Sequence, residues 1–318
     1  MLTKDLITKN VDLNKKIFIA LSGGPDSTAL LHLLSTINET KKLELKAIHI
    51  NHNLSKNCFT WEKHCEDMCS KLAINLQTES VKIKSEGGGI EAASRKARNK
   101  IFENILQDGD QILLAHHSDD VAETVFMRML RGTGAEGMEG PQIKRMIGKG
   151  ILIRPLLSAS KQEILNYLNA NNIKYIEDES NHSNEFDRNY IRNKIFPMLE
   201  ERWKNFPKRI NNAAQIFRNR NNIYSELMYE KYRHIIGKKI RLNEIKELPD
   251  SRIADILRYS IKECNISSPN SKIIEEIIKT FIHSNPGSKS IVSWSRSDKE
   301  EVAGKIEYQE GYIVISKR

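Results

Sequence analysis

Ile17-Phe18-Ile19-Ala20-Leu21-Ser22-Gly23-Gly24-Pro25-Asp26-Ser27 joins an apolar run, a glycine-containing turn and a helix start. The apolar run predicts a buried strand, and the glycines, which lack a Cβ, let the backbone turn sharply and bring its N–H groups close to an anion. Pro25 suits a first helical turn because it has no N–H to leave unpaired, and the positive end of the following helix faces the turn. The stretch therefore predicts a phosphate-binding turn, with an ordinary strand-to-helix connection as the structural alternative.

The composition of this turn restricts the kind of phosphate site. Ser22 and Ser27 add hydroxyl groups to the backbone N–H groups of Gly23 and Gly24. The spacing matches neither G-x-x-x-x-G-K-[ST] nor G-x-G-x-x-G, and the turn contains no lysine. Asp26 would therefore face phosphates only through a cation.

Apolar runs alternate with helix-like patterns through the first 130 residues. The predicted strands are Ile17 to Leu21, Leu45 to Ile50, Leu76 to Ile83 and Gln111 to Ala115, and the predicted helices are Ser27 to Ser35, Thr60 to Leu72, Glu91 to Leu106 and Asp119 to Leu130. This alternation predicts an α/β fold with a parallel sheet that is covered by helices on both faces. Ligands of such folds bind at the carboxyl ends of the strands. Polar clusters follow three of these strands, at the turn, at His49 to His52 and at His116 to Asp120, so we expect them to converge.

The remaining chain predicts a loop, further helices and a small C-terminal domain. Six glycines between Arg131 and Gly150 indicate a mobile loop that could act as a lid. Helices are predicted over Lys161 to Ala170, Asp187 to Leu199 with Pro197 ending it, Lys208 to Tyr232, Ser251 to Cys264 and Ser271 to Ile282, and strands near Ser290 to Trp294, Lys305 to Tyr308 and Tyr312 to Ile315. We expect an α/β domain over residues 1–200, a basic helical connector over 201–240 and a small α+β domain over 241–318.

The net charge of +9, from 50 Lys and Arg against 41 Asp and Glu, is unevenly distributed. Residues 1–150 have 21 basic and 19 acidic groups, so +7 of the total lies in residues 151–318. Residues 201–240 alone have 10 basic groups against 3 acidic ones. This excess favours a polyanion such as nucleic acid along the second half, with an ordinary solvated helix face as the alternative.

A second polar cluster, Ala115-His116-His117-Ser118-Asp119-Asp120-Val121-Ala122-Glu123-Thr124, lies where a predicted strand meets a helix. Asp120 and Glu123 are three residues apart and share one helix face, which suits an ammonium group or a divalent cation. The helix dipole alone also favours acidic residues in a first turn. The position beside the phosphate turn favours the functional interpretation, with His116 and His117 left without an assigned role.

Two further segments are rich in arginine. The helix that opens with Glu91 has Arg95 and Arg98, which could neutralise charge on a departing phosphate, or could form a solvated basic face. The predicted helix from Asp187 to Pro197 offers polar and aromatic side chains to an unstacked base: Arg188, Tyr190, Arg192, Asn193 and Lys194. Helix capping by Asp178 and Ser180 is the alternative reading of the acidic segment before it.

The cysteines show neither a disulfide framework nor metal-site spacing, since Cys58, Cys65, Cys69 and Cys264 include no paired C-x-x-C. We expect free thiols in a reducing compartment. The first residues lack the apolar core of a signal peptide, and no apolar run has the length of a bilayer span. The sequence therefore predicts a cytoplasmic protein without a membrane partner.

Ser22 to Ser27 resembles the PP-loop of the N-type ATP pyrophosphatases, which cleave ATP between its α- and β-phosphates. Four further blocks resemble, in order, those of the tRNA(Ile)-lysidine synthetases: His49 to His52, Glu91 to Arg98, Ala115 to Thr124 with Arg131 to Gly134, and Glu177 to Pro197 preceded by Arg154 to Leu157. The resemblance covers about residues 15–200, and the combination is far more specific than any single block. Asn51 and Ser55 depart from the family pattern, which has Asp and Arg there, so no role is carried over to them.

The resemblance implies a Rossmann-like PP-loop ATPase domain with ATP as substrate and Mg²⁺ as its metal. It further implies adenylation of C2 of the wobble cytidine, C34, in a CAU-anticodon tRNA(Ile), followed by attack of free L-lysine. The implied catalytic residues are Asp26, Arg95, Asp120 and Glu123, with Asp26 also the metal ligand. The implied binding residues are Ser22, Gly23, Gly24, Pro25, Asp26 and Ser27 for ATP, Asp120 and Glu123 for lysine, and Arg188, Tyr190, Arg192, Asn193 and Lys194 for tRNA.

Two alternatives stay open from the sequence, namely a tRNA thiolase of the same superfamily and a non-catalytic RNA-binding relative. A thiolase that uses an iron–sulfur cluster or a persulfide needs well-placed cysteines, which the motifs do not supply beyond Cys58, Cys65 and Cys69. The presence of Asp26 together with Asp120 and Glu123 argues against a protein that has lost catalysis. A homodimer is likewise left open.

Overall fold

A six-stranded sheet organises the first of two units in the chain. The structure, a computed structural model, describes residues 2–83, 89–177, 179, 183–295 and 302–318. The described residues of 1–84 and 94–221 form the first unit, and those of 85–93 and 222–318 form the second. None of the helices in these ranges combines the length and the apolar character that a bilayer crossing needs.

The sheet of the first unit is mostly parallel. Its strands are β1 (Ile17–Ala20), β2 (Leu45–Asn51), β3 (Asn75–Ser80), β4 (Gln111–Leu113), β5 (Lys144–Ile147) and β6 (Gly150–Ile153). They lie in the order β3-β2-β1-β4-β6-β5, in which β5 pairs antiparallel with β6 and the other pairs are parallel. Ile17 pairs with Leu45 of β2 and with Gln111 of β4, so three carboxyl ends lie side by side. The predicted α/β class with a parallel sheet is confirmed.

Helices cover both faces of this sheet. They are α1 (Asp5–Thr8), α2 (Pro25–Lys41), α3 (Cys58–Lys71), α4 (Gly89–Ile105), α5 (Ser118–Leu130), α6 (Lys161–Ala170), α7 (Asp187–Tyr190), α8 (Phe196–Arg202) and α9 (Phe206–Tyr232), which runs on into the second unit. Strand alternation directs Ile17 and Ile19 to the core beside Leu30 of α2, and Phe18 to the opposite core beside Phe102 of α4. The two cores fix the strand ends from which the polar clusters project.

The glycine-rich segment 131–150 differs from the predicted mobile loop. Its second half forms the hairpin of β5 and β6, in which Ile147 pairs with Gly150 across a two-residue connection. Gly148 has φ +55°, a conformation that such tight hairpins require and that glycine adopts without strain. The prediction of a mobile loop is therefore wrong for residues 144–150. Gly148 serves the turn, and Gly150 packs closely, since a Cβ there would lie 2.7 Å from the carbonyl oxygen of Asp110.

The helical segment after residue 186 also differs from the prediction. Residues Ile191–Ile195 form a π-helical turn between α7 and α8. The prediction that Pro197 ends this segment is wrong. Pro197 lies in the first turn of α8, which continues to Arg202. The proline follows the π-helical turn directly, where the regular series of i to i−4 backbone hydrogen bonds is already interrupted.

A small antiparallel sheet with helices forms the second unit. Its elements are β7 (Lys239–Arg241), α10 (Leu242–Ile245), α11 (Asp250–Glu263), α12 (Ser271–Phe281), β8 (Ile291–Trp294), β9 (Gly304–Gln309) and β10 (Tyr312–Lys317). The strand order is β7-β10-β9-β8. Ile256 of α11 and Ile277 of α12 are fully buried against Ile313 of β10 in one core. The predicted small α+β domain is confirmed, with β7 as a strand that the sequence did not predict.

Candidate active site

The turn between β1 and α2 is closed by its two serine hydroxyls. Ser22 N donates to Ser27 Oγ at 3.1 Å, and the two hydroxyl oxygens lie 3.0 Å apart. Ser27 Oγ in turn donates to the carbonyl oxygen of Gly24 at 3.1 Å. Pro25 occupies the first turn of α2, as predicted. The result is a preformed loop at the positive end of a 17-residue helix, which is suited to an anion.

Gly23 is the position in this turn that only glycine fits well. Its φ is +82°, and a Cβ there would lie 3.2 Å from Cys65 Sγ of α3. Its carbonyl oxygen accepts a hydrogen bond from Ile176 N at 2.9 Å. Gly24 has φ −72° and the nearest atom to a Cβ would be Ser22 Oγ at 3.5 Å, so this position is less restricted.

The thiol behind the turn is a packing group. Burial raises the pKa of Cys65 to about 12, with Cys69 and Glu62 adding to the shift. Burial likewise raises the pKa of Cys69 to about 11. Both thiols are therefore protonated at neutral pH and are poor nucleophiles. This agrees with the expectation of free thiols.

Asp26 projects from the first turn of α2 and pairs with a lysine that the sequence did not single out. Lys161 Nζ lies 2.7 Å from Asp26 Oδ1. Lys161 is the first residue of α6, directly after the N-cap Ser160, which forms a capping box with Glu163. The helix start at Lys161 is predicted from the sequence, and the capping-box pattern from Ser160 to Glu163 supports it, but neither indicates that the lysine reaches Asp26.

His117 connects the turn to the acidic cluster. It caps α5, with Nδ1 accepting a hydrogen bond from Asp119 N at 3.3 Å. Because Nδ1 accepts, the ring proton of the neutral form lies on Nε2, which is 3.7 Å from Asp26 Oδ2 and 3.5 Å from Asp120 Oδ2. The side chain is 5% exposed. Two of the three clusters predicted to converge, the turn after β1 and the cluster after β4, thus meet at one imidazole. From the third cluster, His49 Nδ1 donates to the carbonyl oxygen of Leu21, next to the turn, at 2.8 Å.

Asp120 and Glu123 share a face of α5, and two arginines bind that face. Arg188 donates to Glu123 Oε2 at 2.8 Å through Nε and to Asp120 Oδ1 at 2.7 Å through Nη2. Arg192 donates to both oxygens of Glu123, at 2.6 Å through Nε and 2.8 Å through Nη2. The two predicted carboxylates and two of the predicted tRNA-binding residues therefore form one ion-pair cluster, in which charges of −2 and +2 balance.

The protonation states in this cluster are set by opposing effects. Burial alone would raise the pKa of Asp120, but His117 and Arg188, with a hydrogen bond from His117 N, hold it well below its ordinary value. Burial alone would lower the pKa of Arg192, but its hydrogen bonds and charge attraction to Glu123 raise it. Asp120 is therefore ionised throughout the neutral pH range.

A second group of arginines lies beside His116. Arg154 Nε donates to His116 Nδ1 at 3.0 Å. Burial lowers the pKa of His116 to about 3, an effect that Asp120 opposes and Arg154 and Arg98 reinforce. Burial also lowers the pKa of Arg154 to about 10, and repulsion from Arg145, Arg98 and Arg95 adds to this. His116 is thus neutral, and Arg95 and Arg98 contribute to a positive region at the same edge of the sheet.

The remaining predicted tRNA-binding residues point elsewhere. Tyr190 is 48% exposed, Lys194 is exposed, and Asn193 Nδ2 donates to Asn184 Oδ1 at 3.2 Å. The structure does not bring these three to the carboxylates. The alternative caps Asp178 and Ser180 lie outside the described residues.

Asn51, where the family pattern has Asp, has a structural role at the end of β2. It is 4% exposed, its Nδ2 donates to Glu62 Oε2 at 2.9 Å, and its Oδ1 accepts from Asn53 N at 2.9 Å. An ionised carboxylate in its place could not donate to Glu62. The departure is therefore matched by its local surroundings.

Comparison with known proteins identifies the family. A family model described as "PP-loop domain" matches residues 3–199. The chain belongs to the PP-loop family. It is 33% identical over 284 residues to a tRNA(Ile)-lysidine synthase of Legionella pneumophila (strain Paris), covering 89% of this chain and 65% of that one. It is 36% identical over 280 residues to a tRNA(Ile)-lysidine synthase of Buchnera aphidicola subsp. Schizaphis graminum, covering 86% of this chain and 63% of that one.

The PP-loop fold also has a solved counterpart. The U34-tRNA thiolase NcsA from Methanococcus maripaludis, solved with its [4Fe-4S] cluster, aligns with a TM-score of 0.54 at 19% identity, covering 67% of this chain and 76% of that chain. This likeness concerns the fold. The chain spans about 65% of the length of the curated relatives that it matches first.

Proposed function

We propose that the protein is an ATP-dependent ligase that joins free L-lysine to C2 of the wobble cytidine, C34, in a CAU-anticodon tRNA(Ile). The products would be lysidine, AMP and pyrophosphate, and codon reading would change from AUG to AUA. The observation that carries the proposal is the meeting of a phosphate turn and a buried acidic cluster at His117, 3.7 Å from Asp26 and 3.5 Å from Asp120, in a PP-loop chain similar to tRNA(Ile)-lysidine synthases.

The phosphates of ATP would bind at the turn. The N–H groups at the start of α2 and the hydroxyls of Ser22 and Ser27 supply hydrogen bonds, and the ammonium of Lys161 supplies a charge within reach of the same space. Arg95, with Arg98 and Arg154, would neutralise charge at the α-phosphate.

Asp26 fits a magnesium ion that arrives with the nucleotide. No group of three or more His, Cys, Asp or Glu side chains within the described ranges has a metal-site arrangement. Mg²⁺ is commonly held by one or two carboxylates together with substrate phosphates, and Asp26, 29% exposed, can serve as such a ligand. When bound, Mg²⁺ offsets charge at the α–β bond. Lys161 would then turn from Asp26 to phosphate.

Asp120 is the better acceptor for the ammonium group of the lysine substrate. It is 13% exposed, and its oxygens accept hydrogen bonds from Arg188 and from His117 N. Glu123 is 2% exposed and has both oxygens bound by arginines. A carboxylate with a depressed pKa binds a cation well and accepts a proton poorly. We therefore assign Asp120 to lysine binding rather than to proton removal, and Glu123 to holding the two arginines in position.

The tRNA would contact the outer face of the helical segment after residue 186 and the basic residues beyond it. Tyr190, Asn193 and Lys194 remain as candidates for the anticodon loop, since Arg188 and Arg192 already bind carboxylates of the protein. The excess of basic residues over 201–240 and the α+β unit that follows suit the rest of the tRNA.

One assay tests the proposal directly. The purified protein is incubated with ATP, Mg²⁺, labelled lysine and a CAU-anticodon tRNA(Ile) transcript, with the same transcript carrying U34 as the matched control. Label is expected in the CAU transcript alone. Release of pyrophosphate without label in RNA at any lysine concentration would overturn lysine ligation while leaving ATP cleavage intact. An Asp26→Ala variant should lose pyrophosphate release, and full retention would contradict the magnesium role.

A further inference from the structure

An open cleft lies between α5 and the segment formed by α7 and the π-helical turn, within the first unit. Its volume is about 450 Å³. The apolar lining consists of Phe126, Met127, Leu130, Tyr190, Ile191 and Ile195, and the polar lining of Arg131 and Asp187. We call it the α5–α7 cleft. None of its lining residues belongs to the ion-pair cluster.

The cleft continues the face of α5 that bears the acidic pair. Met127 follows Glu123 by four residues and Leu130 follows it by seven, so all three lie along one side of the helix. At a rise of 1.5 Å per residue, Met127 lies about 6 Å from Glu123 along the helix axis. On the opposite wall, Arg188 and Arg192 bind the carboxylates while their neighbours Tyr190 and Ile191 line the cleft.

The lining suits a flat group with polar edges. Tyr190 is 48% exposed and presents an aromatic ring at the opening. Phe126 is fixed at the base by edge-to-face contacts with Phe196 and Phe206, whose ring centroids lie 5.6 Å and 6.3 Å away. Arg131 can donate hydrogen bonds and Asp187 can accept them at the same cleft. A nucleobase has two apolar faces and an edge that both accepts and donates, and unstacked bases bind proteins by these features.

We propose that the α5–α7 cleft holds an unstacked nucleobase next to the nucleotide that is modified. The occupant is part of the RNA substrate, so the inference rests on the proposed function for the kind of RNA. The positive charge of Arg131 and of exposed Lys194, one turn beyond Tyr190, suits the phosphates on either side of such a base. A target base that is lifted out of its loop leaves its neighbour without a stacking partner, and the cleft replaces that partner.

The test pairs protein variants with abasic RNA. A fluorescent anticodon stem-loop of tRNA(Ile) is prepared with each loop nucleotide in turn made abasic, and its equilibrium binding is measured without ATP or lysine at one fixed salt concentration. The proteins are the wild type, Tyr190→Ala and Tyr190→Phe. Met129→Ala is the matched control, because Met129 lies on the same helix, is 50% exposed and does not line the cleft.

We expect one abasic position to weaken binding to the wild type by about 5- to 150-fold, the range for loss of one base–aromatic stack. Tyr190→Ala should bind the intact loop comparably weakly and lose little more at that position, whereas Tyr190→Phe and Met129→Ala should behave as the wild type. Equal abasic penalties in the wild type and Tyr190→Ala at every position would overturn the proposal, as would no binding of the stem-loop to the wild type. This binding assay contains neither lysine nor ATP. A negative result for base binding in the cleft is therefore separate from a negative result for lysine ligation.

Discussion

The ammonium nitrogen of Lys161 lies 2.7 Å from Oδ1 of Asp26, although the two residues are 135 positions apart in the chain. The pair joins the start of α6 to the start of α2 and places a positive charge where PP-loop residues 22–27 lack a lysine of their own. A cation that is bound to a carboxylate in the absence of nucleotide can transfer to a phosphate when nucleotide binds. Lys161 is therefore expected to contribute to ATP binding.

Substitution of Lys161 tests this role. We expect Lys161→Met to raise the KM for ATP by about ten- to hundredfold, because a hydrogen bond to a charged group contributes about 1.5–3 kcal/mol. Lys161→Arg should retain most of the affinity, since the charge is kept. Pyrophosphate release at varied ATP concentration measures both. An unchanged KM in Lys161→Met would show that the lysine serves only to neutralise Asp26.

The two glycines of the turn offer a matched pair of substitutions. Gly23→Ala should lower the free energy of unfolding by about 1–2 kcal/mol or more, because φ +82° is strained for alanine and the new Cβ would lie 3.2 Å from Cys65 Sγ. Gly24→Ala should change it by less than about 1 kcal/mol, since φ −72° suits alanine and the nearest contact is 3.5 Å. Urea denaturation distinguishes the two. Equal losses would contradict the assigned conformations.

The buried ion pairs of Glu123 predict a large and non-additive effect. Glu123→Gln should lower the free energy of unfolding by about 3 kcal/mol, because two guanidinium groups would then share the single carboxylate of Asp120. In an Arg192→Gln background the same change should cost clearly less, since one of the stranded charges is already gone. A double-mutant cycle by chemical denaturation measures the coupling. Strict additivity of the two substitutions would contradict the contacts described for Arg192.

The neutral His116 predicts a pH-dependent stability. Its pKa is lowered from 6.5 to about 3 in the folded protein, so between these values the unfolded chain binds more protons. Stability should therefore fall as pH decreases below about 6.5, by up to about 1.4 kcal/mol per pH unit from this residue. His116→Asn keeps an acceptor for Arg154 and removes the titration. The unfolding free energies of both proteins are measured from about pH 7 to about pH 4, which lies within the range of this pKa shift. The unfolding free energy of the variant should depend less steeply on pH than that of the wild type. Identical slopes would contradict the burial of His116.

The sequence predicted those parts of the site that follow from local pattern. Apolar runs located β1, β2 and β4, and parallel pairing then required the clusters after them to meet. Helical spacing placed Asp120 and Glu123 on one face. These predictions needed only the periodicity of helices and strands and the direction of parallel strands.

Contacts between distant charged residues could not be predicted in this way. Lys161 comes after β6, a short strand that forms a hairpin with β5. The contact of Lys161 with Asp26 depends on how α6 packs beside α2, which the sequence pattern does not indicate. Arg188 and Arg192 had the spacing of a basic RNA-binding face, yet they point to carboxylates 65 to 69 positions earlier in the chain. Spacing defines a helix face but not what the face contacts.

The π-helical turn at Ile191–Ile195 gives this site an unusual dependence on chain length. A π turn holds one more residue than an α-helical turn needs, so the helix takes up an extra residue there while its flanking parts keep their facing. Deletion of one residue within Ile191–Ile195 should therefore restore a regular turn and leave Phe196 in the apolar cluster that it shares with Ala122 and Ile191. The same deletion in a regular α-helical turn would rotate everything after it by about 100°. The π turn thus marks the place where this segment can shorten by one residue without turning Phe196 away from its contacts.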